Sequence, residues 1–290
     1  RRQRQMCIRD RTQFCKNNVP ALGIWTDRGI VDPAVEAARR GVTAPATMLE
    51  AIRGGEAAIS LLETLADGPP VEEAVLAPAV TDMDKLLCIG RNYREHAAEC
   101  GADLPPAPAL FNKFRSALAA CGQAIFLPRD YHEYDYEGEL VVIIGKPARN
   151  VAVEDALSHV FGYTCGNDLS TRDLQYARAG QWLMGKTFDG FAPVGPCVAL
   201  GLDPGNLSLT TTVNGEVRQS ARTSDMIFDV AHIIADLSHH FTLLPGDLIF
   251  TGTPSGVMQG YPADQKRWLQ PGDRVEVTIE GIGTLTNTFI

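Results

Sequence analysis

The sequence predicts an α+β, β-rich fold, and three observations carry that expectation. Beyond residue 80, short apolar and β-branched runs recur between Gly, Pro and Asn punctuation. The run TTVNGEV is a hairpin signal centred on Asn214 and Gly215. A single long helical pattern, SDMIFDVAHIIADLSHHFTL, interrupts the strands, with Ser224 as its expected N-cap.

Taken in order, the first 18 residues, RRQRQMCIRDRTQFCKNN, read as a non-native or disordered tail. They lack the apolar stretch of a secretory signal, and Asp10 interrupts an Arg-rich bias that otherwise leaves a mitochondrial presequence open. Residues 19–80 form a small N-terminal α/β unit. In it ALGIWTDRGIVDPAVEAARRG predicts a hairpin and a helix, and TMLEAIRGGEAAISLLETLADG a further amphipathic helix. The linker GPPVEEAVLAPAV, with Pro69, Pro70 and Pro78, ends that unit near residue 80. Residues 81–290 make the larger, β-rich unit, whose last strands are GDLIFTG and GDRVEVTIEGIGTLTNTFI. No internal repeat or low-complexity tract is visible.

Composition narrows the function classes. A chain of 290 residues, 45% apolar, can bury one large core and a smaller accessory one. A formal charge of −9 argues against a nucleic-acid partner and against an anionic membrane surface. No run approaches the roughly eighteen apolar residues of a membrane span. The seven cysteines are scattered without a CxxC spacing, which disfavours a disulfide framework and a zinc knuckle and points to a reducing compartment.

The candidate chemistry starts at YEGELVVIIG, where Glu137 and Glu139 lie two apart at the mouth of an apolar strand and so share a face. Two carboxylates held that close repel, and a divalent cation would resolve the conflict; a solvated acidic face is the bland alternative. FGYTCGNDLSTRDLQ places Asp168 where a strand ends. QWLMGKTFDGFAPVGP holds Lys186 behind Gly185 among apolar neighbours. In RNYREHAAE, His96 and Glu99 share a helix face.

In their order CIGRNYREHAAE, YEGELVVIIG, GNDLSTRDLQ, WLMGKTFDGFAPVGP, VNGEV, LLPGDLIFTGTPSGV and LQPGDRVEVTIEGIGTLTN, these blocks resemble the fumarylacetoacetate hydrolase family over roughly residues 81–290. The likeness is to its domain-containing branch rather than to the founding hydrolase. It implies a mixed β-sandwich roll, usually dimeric. It also implies a metal site of Glu137, Glu139 and Asp168, and three hard oxygen ligands suit Mg²⁺, with Mn²⁺ or Ca²⁺ as substitutes, and disfavour zinc. The resemblance makes His96 and Glu99 a water-activating pair in a lid, RNYREHAAECGADLPPAP, whose Pro105, Pro106 and Pro108 would stop the helix and mark the hinge. It makes Lys186 a catalytic cation, and Gln175, Thr253 and Arg91 substrate-binding; Arg172 reads as structural. His132 could support the metal strand or lie at the surface, and His159, His232, His239 and His240 carry no chemistry. The founding hydrolase has a fourth acidic ligand where this chain has Ile89, so a three-carboxylate site is expected.

The expected activity is Mg²⁺-dependent hydrolysis of a C–C bond in a 2,4-dioxo acid such as an acylpyruvate, through a metal-bound pyruvate enolate. The same enolate serves an oxaloacetate decarboxylase, a keto–enol tautomerase or a 2-hydroxyhepta-2,4-diene-1,7-dioate isomerase, so these stay open, with a non-catalytic binding protein as the remote alternative. The expected partner is a small 2-oxo or dioxo acid, with no nucleic acid and no membrane. A cytoplasmic homodimer is expected, or one in the mitochondrial matrix if the source is eukaryotic.

Overall fold

A computed structural model describes residues 10–101, 103–177 and 179–290. Strands β1 (Arg11–Lys16), β2 (Val19–Thr26) and β3 (Gly29–Val31) form an antiparallel meander, followed by helices α1 (Pro33–Arg40) and α2 (Met48–Leu65). Asp32 caps α1 by accepting from the amides of Ala34 and Val35, and Gly41 closes it with φ 69°. The long second helix is kinked at Gly55, the second glycine of its Gly-Gly pair.

The expectation of a tail through residue 18 fails from Asp10 onward. β1 lies between β2 and a later strand, with Arg11 to Phe14 all buried. Two of its polar side chains donate to distant carbonyls: Thr12 to Pro196 at 2.8 Å and Gln13 to Pro78 at 2.7 Å. Residues 1–9 lie outside the described residues.

Next come β4 (Leu86–Gly90), α3 (Arg94–Glu99), β5 (Ala109–Asn112), β6 (Leu118–Ala119), β7 (Ala124–Ile125), β8 (Tyr134–Asp135) and the buried β9 (Gly138–Ile144). A short α4 (Val153–Ala156) leads to β10 (Val160–Asn167), β11 (Ser170–Thr171), α5 (Arg172–Gln175), α6 (Leu183–Lys186) and β12 (Ala192–Ala199). Then β13 (Ser208–Val213) and β14 (Glu216–Arg222) form the expected hairpin, its turn made by Asn214 and Gly215 at φ 52° and 82°. Helix α7 (Val230–His240), β15 (Leu248–Phe250), β16 (Arg274–Ile279) and β17 (Gly283–Phe289) complete the chain. The cap of α7 is Asp229, which accepts from His232 N, and not Ser224. Ser224 instead bonds Asn206, and the strap between them is pinned where Ile227 and Phe228 donate to Asn92.

The main sheet runs β3-β2-β1-β12-β10-β9-β15-β4-β5, with β6 beside β12, so the N-terminal strands continue the larger unit's sheet. A second sheet, β14-β13-β16-β17-β7, packs across from it. Strand β9 is central. Its Leu140, Val142 and Ile144 face the second sheet, while Val141 and Ile143 pack toward α2. The same alternation sends Glu137 and Glu139 out together at the strand's mouth.

Candidate active site

Carboxylate oxygens of Glu137, Glu139 and Asp168 come within 4.8 Å of one another, and all three residues are buried. Glu137 immediately precedes β9, and Asp168 immediately follows its neighbour β10. A backbone hydrogen bond from Asp168 N to Glu137 O, 2.8 Å, clamps the two ends together. The Asn167 side chain accepts from Glu137 N at 3.0 Å on the same seam. Glu139 is held differently, accepting from Gly252 N at 2.7 Å in the Gly-rich loop after β15.

Three buried cations surround the cluster. Lys186 Nζ lies 2.6 Å from Glu137 and 3.0 Å from Asp168, and 5.1 Å from the centre of the Phe111 ring. Its position depends on Gly185: a Cβ there would come within 2.6 Å of the Gln175 backbone, so α5 and α6 approach only because that side chain is missing. Arg172 reaches Glu137 at 2.6 Å and Asp135 at 2.9 Å, and donates to Gln175 Oε1 at 2.9 Å. Lys113, just past β5, ion-pairs with Asp168 and donates to the carbonyls of Leu169 and Phe191. Burial pushes the Lys113 ammonium down, and Asp168 opposes that.

Burial alone would raise Glu137, but Lys186, Arg172 and His96 hold it below the ordinary carboxylate range. Glu139 goes the other way: burial and the charges of Asp168 and Glu137 raise it well above that range. The cluster is therefore frustrated. Four buried carboxylates, counting Asp135, face three buried cations, and the least compensated is Glu139. An all-oxygen donor set of this kind, with an excess negative charge, fits a hard divalent cation.

Helix α3 closes over the cluster. His96 Nδ1 sits 2.8 Å from Glu99 Oε1, and Glu99 Oε2 accepts from Gly256 N at 2.9 Å. Both oxygens of Glu99 are thus fixed and the ring is oriented. Burial opposes charging His96, but contacts with Cys100 and Glu99 and the field of Glu137 prevail and raise it to about 9. The helix ends at Glu99 because Gly101, at φ 63°, turns the chain; the prolines at 105, 106 and 108 lie beyond it, in a stretch without regular secondary structure, and do not stop the helix.

His96, Glu137, Glu139, Asp168, Lys186, Arg91, Gln175 and Thr253 line one cavity of about 30 Å³, together with Ile89, Cys100, Phe111 and Trp182. Glu99 stands behind His96. Arg91, at φ 57°, stacks 5.3 Å over the Trp182 ring. The Thr253 hydroxyl is already committed, donating to Gly138 O and accepting from Gln219. His132 is exposed. Sequence reasoning missed Lys113 and Asp135 and undervalued Arg172. Asp135 is wholly buried and accepts from Met258 N at 2.8 Å and Gln259 N at 2.9 Å as well as from Arg172. A titratable residue inside a strongly aromatic stretch, YHEYDYEG, was its only local signal.

Comparison with known proteins gives the family. Residues 85–290 match the model of the fumarylacetoacetate (FAA) hydrolase C-terminal family. The chain is 42% identical over 257 residues to the mitochondrial oxaloacetate tautomerase FAHD2A of Bos taurus, covering 86% of this chain and 81% of that one. Among solved structures it is similar to 2-hydroxyhepta-2,4-diene-1,7-dioate isomerase from Mycobacterium marinum (41% identity, 76% and 79% of the two chains, TM-score 0.67). It is also similar to maleylpyruvate hydrolase from Sphingobium sp. SYK-6, solved with manganese(II) and pyruvate (29% identity, 97% and 98%, TM-score 0.79). With most of its length matched by the family model and by relatives that are enzymes, the chain belongs to the fumarylacetoacetate hydrolase family.

Proposed function

We propose that this protein interconverts the keto and enol forms of a small 2-oxo diacid, oxaloacetate being the fitting case, with Mg²⁺ or Mn²⁺ held by Glu137, Glu139 and Asp168. The observation that carries this reading is the company His96 keeps. It is the only imidazole lining the cavity among the described residues, it is oriented by Glu99, and it shares the cavity with a carboxylate cluster and with Arg91. A diacid has two anionic ends; the divalent cation would take the 2-oxo end and Arg91 the distal carboxylate.

The bound cation would supply Lewis-acid stabilisation of negative charge at the 2-oxo group. His96 moves the proton at C3: as the imidazolium it delivers the proton when the enol ketonises, and as the neutral ring it removes it in the reverse direction. A value raised to about 9 supports the delivering role near neutral pH. Lys186 offsets oxyanion charge, and Gln175, fixed through Arg172, offers its amide to the substrate. The cavity is narrow and His96 and Cys100 of α3 line it, so this reading has α3 move aside as substrate enters.

A second reading, hydrolysis of an acylpyruvate, uses the same dyad to activate water. The orientation of His96 by a carboxylate suits that task equally, and the likeness to maleylpyruvate hydrolase supports it. Two assays separate them. Purified protein with Mg²⁺ is given enol-oxaloacetate, followed by loss of enol absorbance and by deuterium exchange at C3, and acetylpyruvate, followed by proton NMR for acetate and pyruvate. Acceleration of the first, lost by at least 100-fold in His96→Ala, is expected. Acetylpyruvate cleavage without any effect on oxaloacetate would overturn the tautomerase in favour of the hydrolase.

The working unit is proposed to be a homodimer in a reducing compartment, cytoplasmic or mitochondrial. The free edge at β5, with Leu110 and Phe114 exposed beside it, and six unpaired described cysteines support this.

A further inference from the structure

The dyad of α3 has a third member that the enolisation chemistry does not use. Cys100 Sγ lies 3.9 Å from His96 Nδ1, on the side of the ring where Glu99 Oε1 approaches to 2.8 Å, and ligand atoms of all three residues fall within 4.8 Å of one another. Residues 96, 99 and 100 stand at i, i+3 and i+4, so a single helical turn presents them together. Cys100 is half-buried and lines the cavity.

We propose that His96, Glu99 and Cys100 form an inhibitory Zn²⁺ site, distinct from the carboxylate cluster. The donor sets differ in kind. An imidazole nitrogen, a thiolate and one carboxylate oxygen suit zinc, whereas the three carboxylates suit magnesium. Tetrahedral zinc with bonds of about 2.0 Å to N and O and 2.3 Å to S needs N···O of about 3.3 Å and N···S of about 3.5 Å. The present 2.8 Å and 3.9 Å each lie within about 0.5 Å of those, so small side-chain rotations assemble the site around the ion, with water as fourth ligand. Binding releases the thiol proton and whatever proton Nδ1 carries.

The consequence for activity rests on the tautomerase reading and follows from the ring's chemistry. Zinc on Nδ1 leaves the remaining proton on Nε2, so the imidazole can no longer accept one from the substrate carbon. It also takes Glu99 Oε1 from its orienting role.

The test separates the site from the function. Full-length protein with its carboxylate cluster saturated with Mg²⁺ is titrated with Co²⁺ in the absence of substrate. A near-ultraviolet thiolate-to-cobalt charge-transfer band is expected, displaced by Zn²⁺ and absent in Cys100→Ser. Turnover is then measured against Zn²⁺ at fixed excess Mg²⁺, each protein against its own zinc-free rate. The half-inhibiting zinc concentration should rise roughly tenfold or more in Cys100→Ser. Absence of the band in the native protein overturns the site, whatever the substrate proves to be. Zinc inhibition that extra Mg²⁺ relieves and Cys100→Ser leaves unchanged places the zinc on the carboxylates and overturns it as well. A band without inhibition keeps the site and overturns only its inhibitory role.

Discussion

Gly260→Ala is a mutation of one methyl group, outside the cavity, that should disable the dyad. A Cβ at Gly260 would lie 2.5 Å from Glu99 Oε2, 2.6 Å from its Cδ and 2.8 Å from its Cγ. All three contacts are with the end of one flexible side chain, and no positive φ is required at Gly260, so the fold can absorb the methyl by expelling the Glu99 carboxylate. Expulsion breaks the 2.8 Å contact with His96 and the 2.9 Å hydrogen bond from Gly256 N. Hydrogen bonds to a charged group contribute roughly 1.5–3 kcal/mol each. Taking about 2 kcal/mol for the lost orientation of His96, kcat/KM should fall about 30-fold. Stability should fall by less than those two bonds together suggest, because the Glu99 carboxylate, already 18% exposed, regains water; each loss of about 1 kcal/mol corresponds to about 2 °C in Tm. The assay is enol-oxaloacetate ketonisation on Gly260→Ala, Glu99→Gln and the double variant, with Tm recorded for each. If the methyl acts through Glu99, the double variant is no slower than the slower single one. Wild-type kcat/KM in a folded Gly260→Ala protein, or simple multiplication of the two defects, would refute the reasoning.

Three further outcomes are expected. Glu139→Gln should raise the Tm of the metal-free protein while lowering its affinity for Mn²⁺ by calorimetry. Burial and the charges of Asp168 and Glu137 raise this carboxylate, a penalty on the fold above the unfolded carboxyl pKa that the neutral amide removes, and the same change would delete a proposed ligand. Asp135→Ala should cost about 3–5 kcal/mol in urea unfolding, because Arg172 loses a buried partner and the amides of Met258 and Gln259 lose their acceptor. His96, raised to about 9 from 6.5, should titrate by NMR near 9; its contribution to stability is complete below 6.5 and is lost as pH rises through 9. On the proposed mechanism ketonisation needs the imidazolium, so with Mg²⁺ bound it should also slow as pH rises, on a limb lying below that of the metal-free protein because the ion offsets the Glu137 charge.

What was legible in the sequence had a local cause. A strand alternates every two residues, so the shared face of Glu137 and Glu139 needed no tertiary knowledge, and the Asn214-Gly215 turn needed only its φ requirements. The joining of Asp168, Lys186 and His96 to that pair followed from family resemblance and not from spacing. Strand β1 was unreadable for a physical reason: Arg11, Thr12 and Gln13 are polar yet buried, and the carbonyls to which Thr12 and Gln13 donate come from Pro196 and Pro78. Lys113 gave no signal either, since its acceptors at Asp168, Leu169 and Phe191 are distant in sequence.

These unread residues explain how three carboxylates can be buried so close together at the proposed metal site. Arg172 and Asp135 form an ion pair that fixes Glu137 from behind, and Lys113 does the same for Asp168, so the protein itself orients these two proposed ligands. Among the described residues Glu139 has no such partner; a single backbone amide holds it, and it carries the repulsion of the other two. With four carboxylates against three cations, and Glu139 raised toward its neutral form, the site without metal carries at most one negative charge, and a divalent ion that displaces the Glu139 proton takes it to one positive. A site without metal therefore gives a 2-oxo acid no attraction, and a loaded one attracts it. On this argument metal binds first and substrate second, and the apparent affinity for an unreactive 2-oxo acid such as oxalate should be lost on chelation, before any step of chemistry is asked of His96.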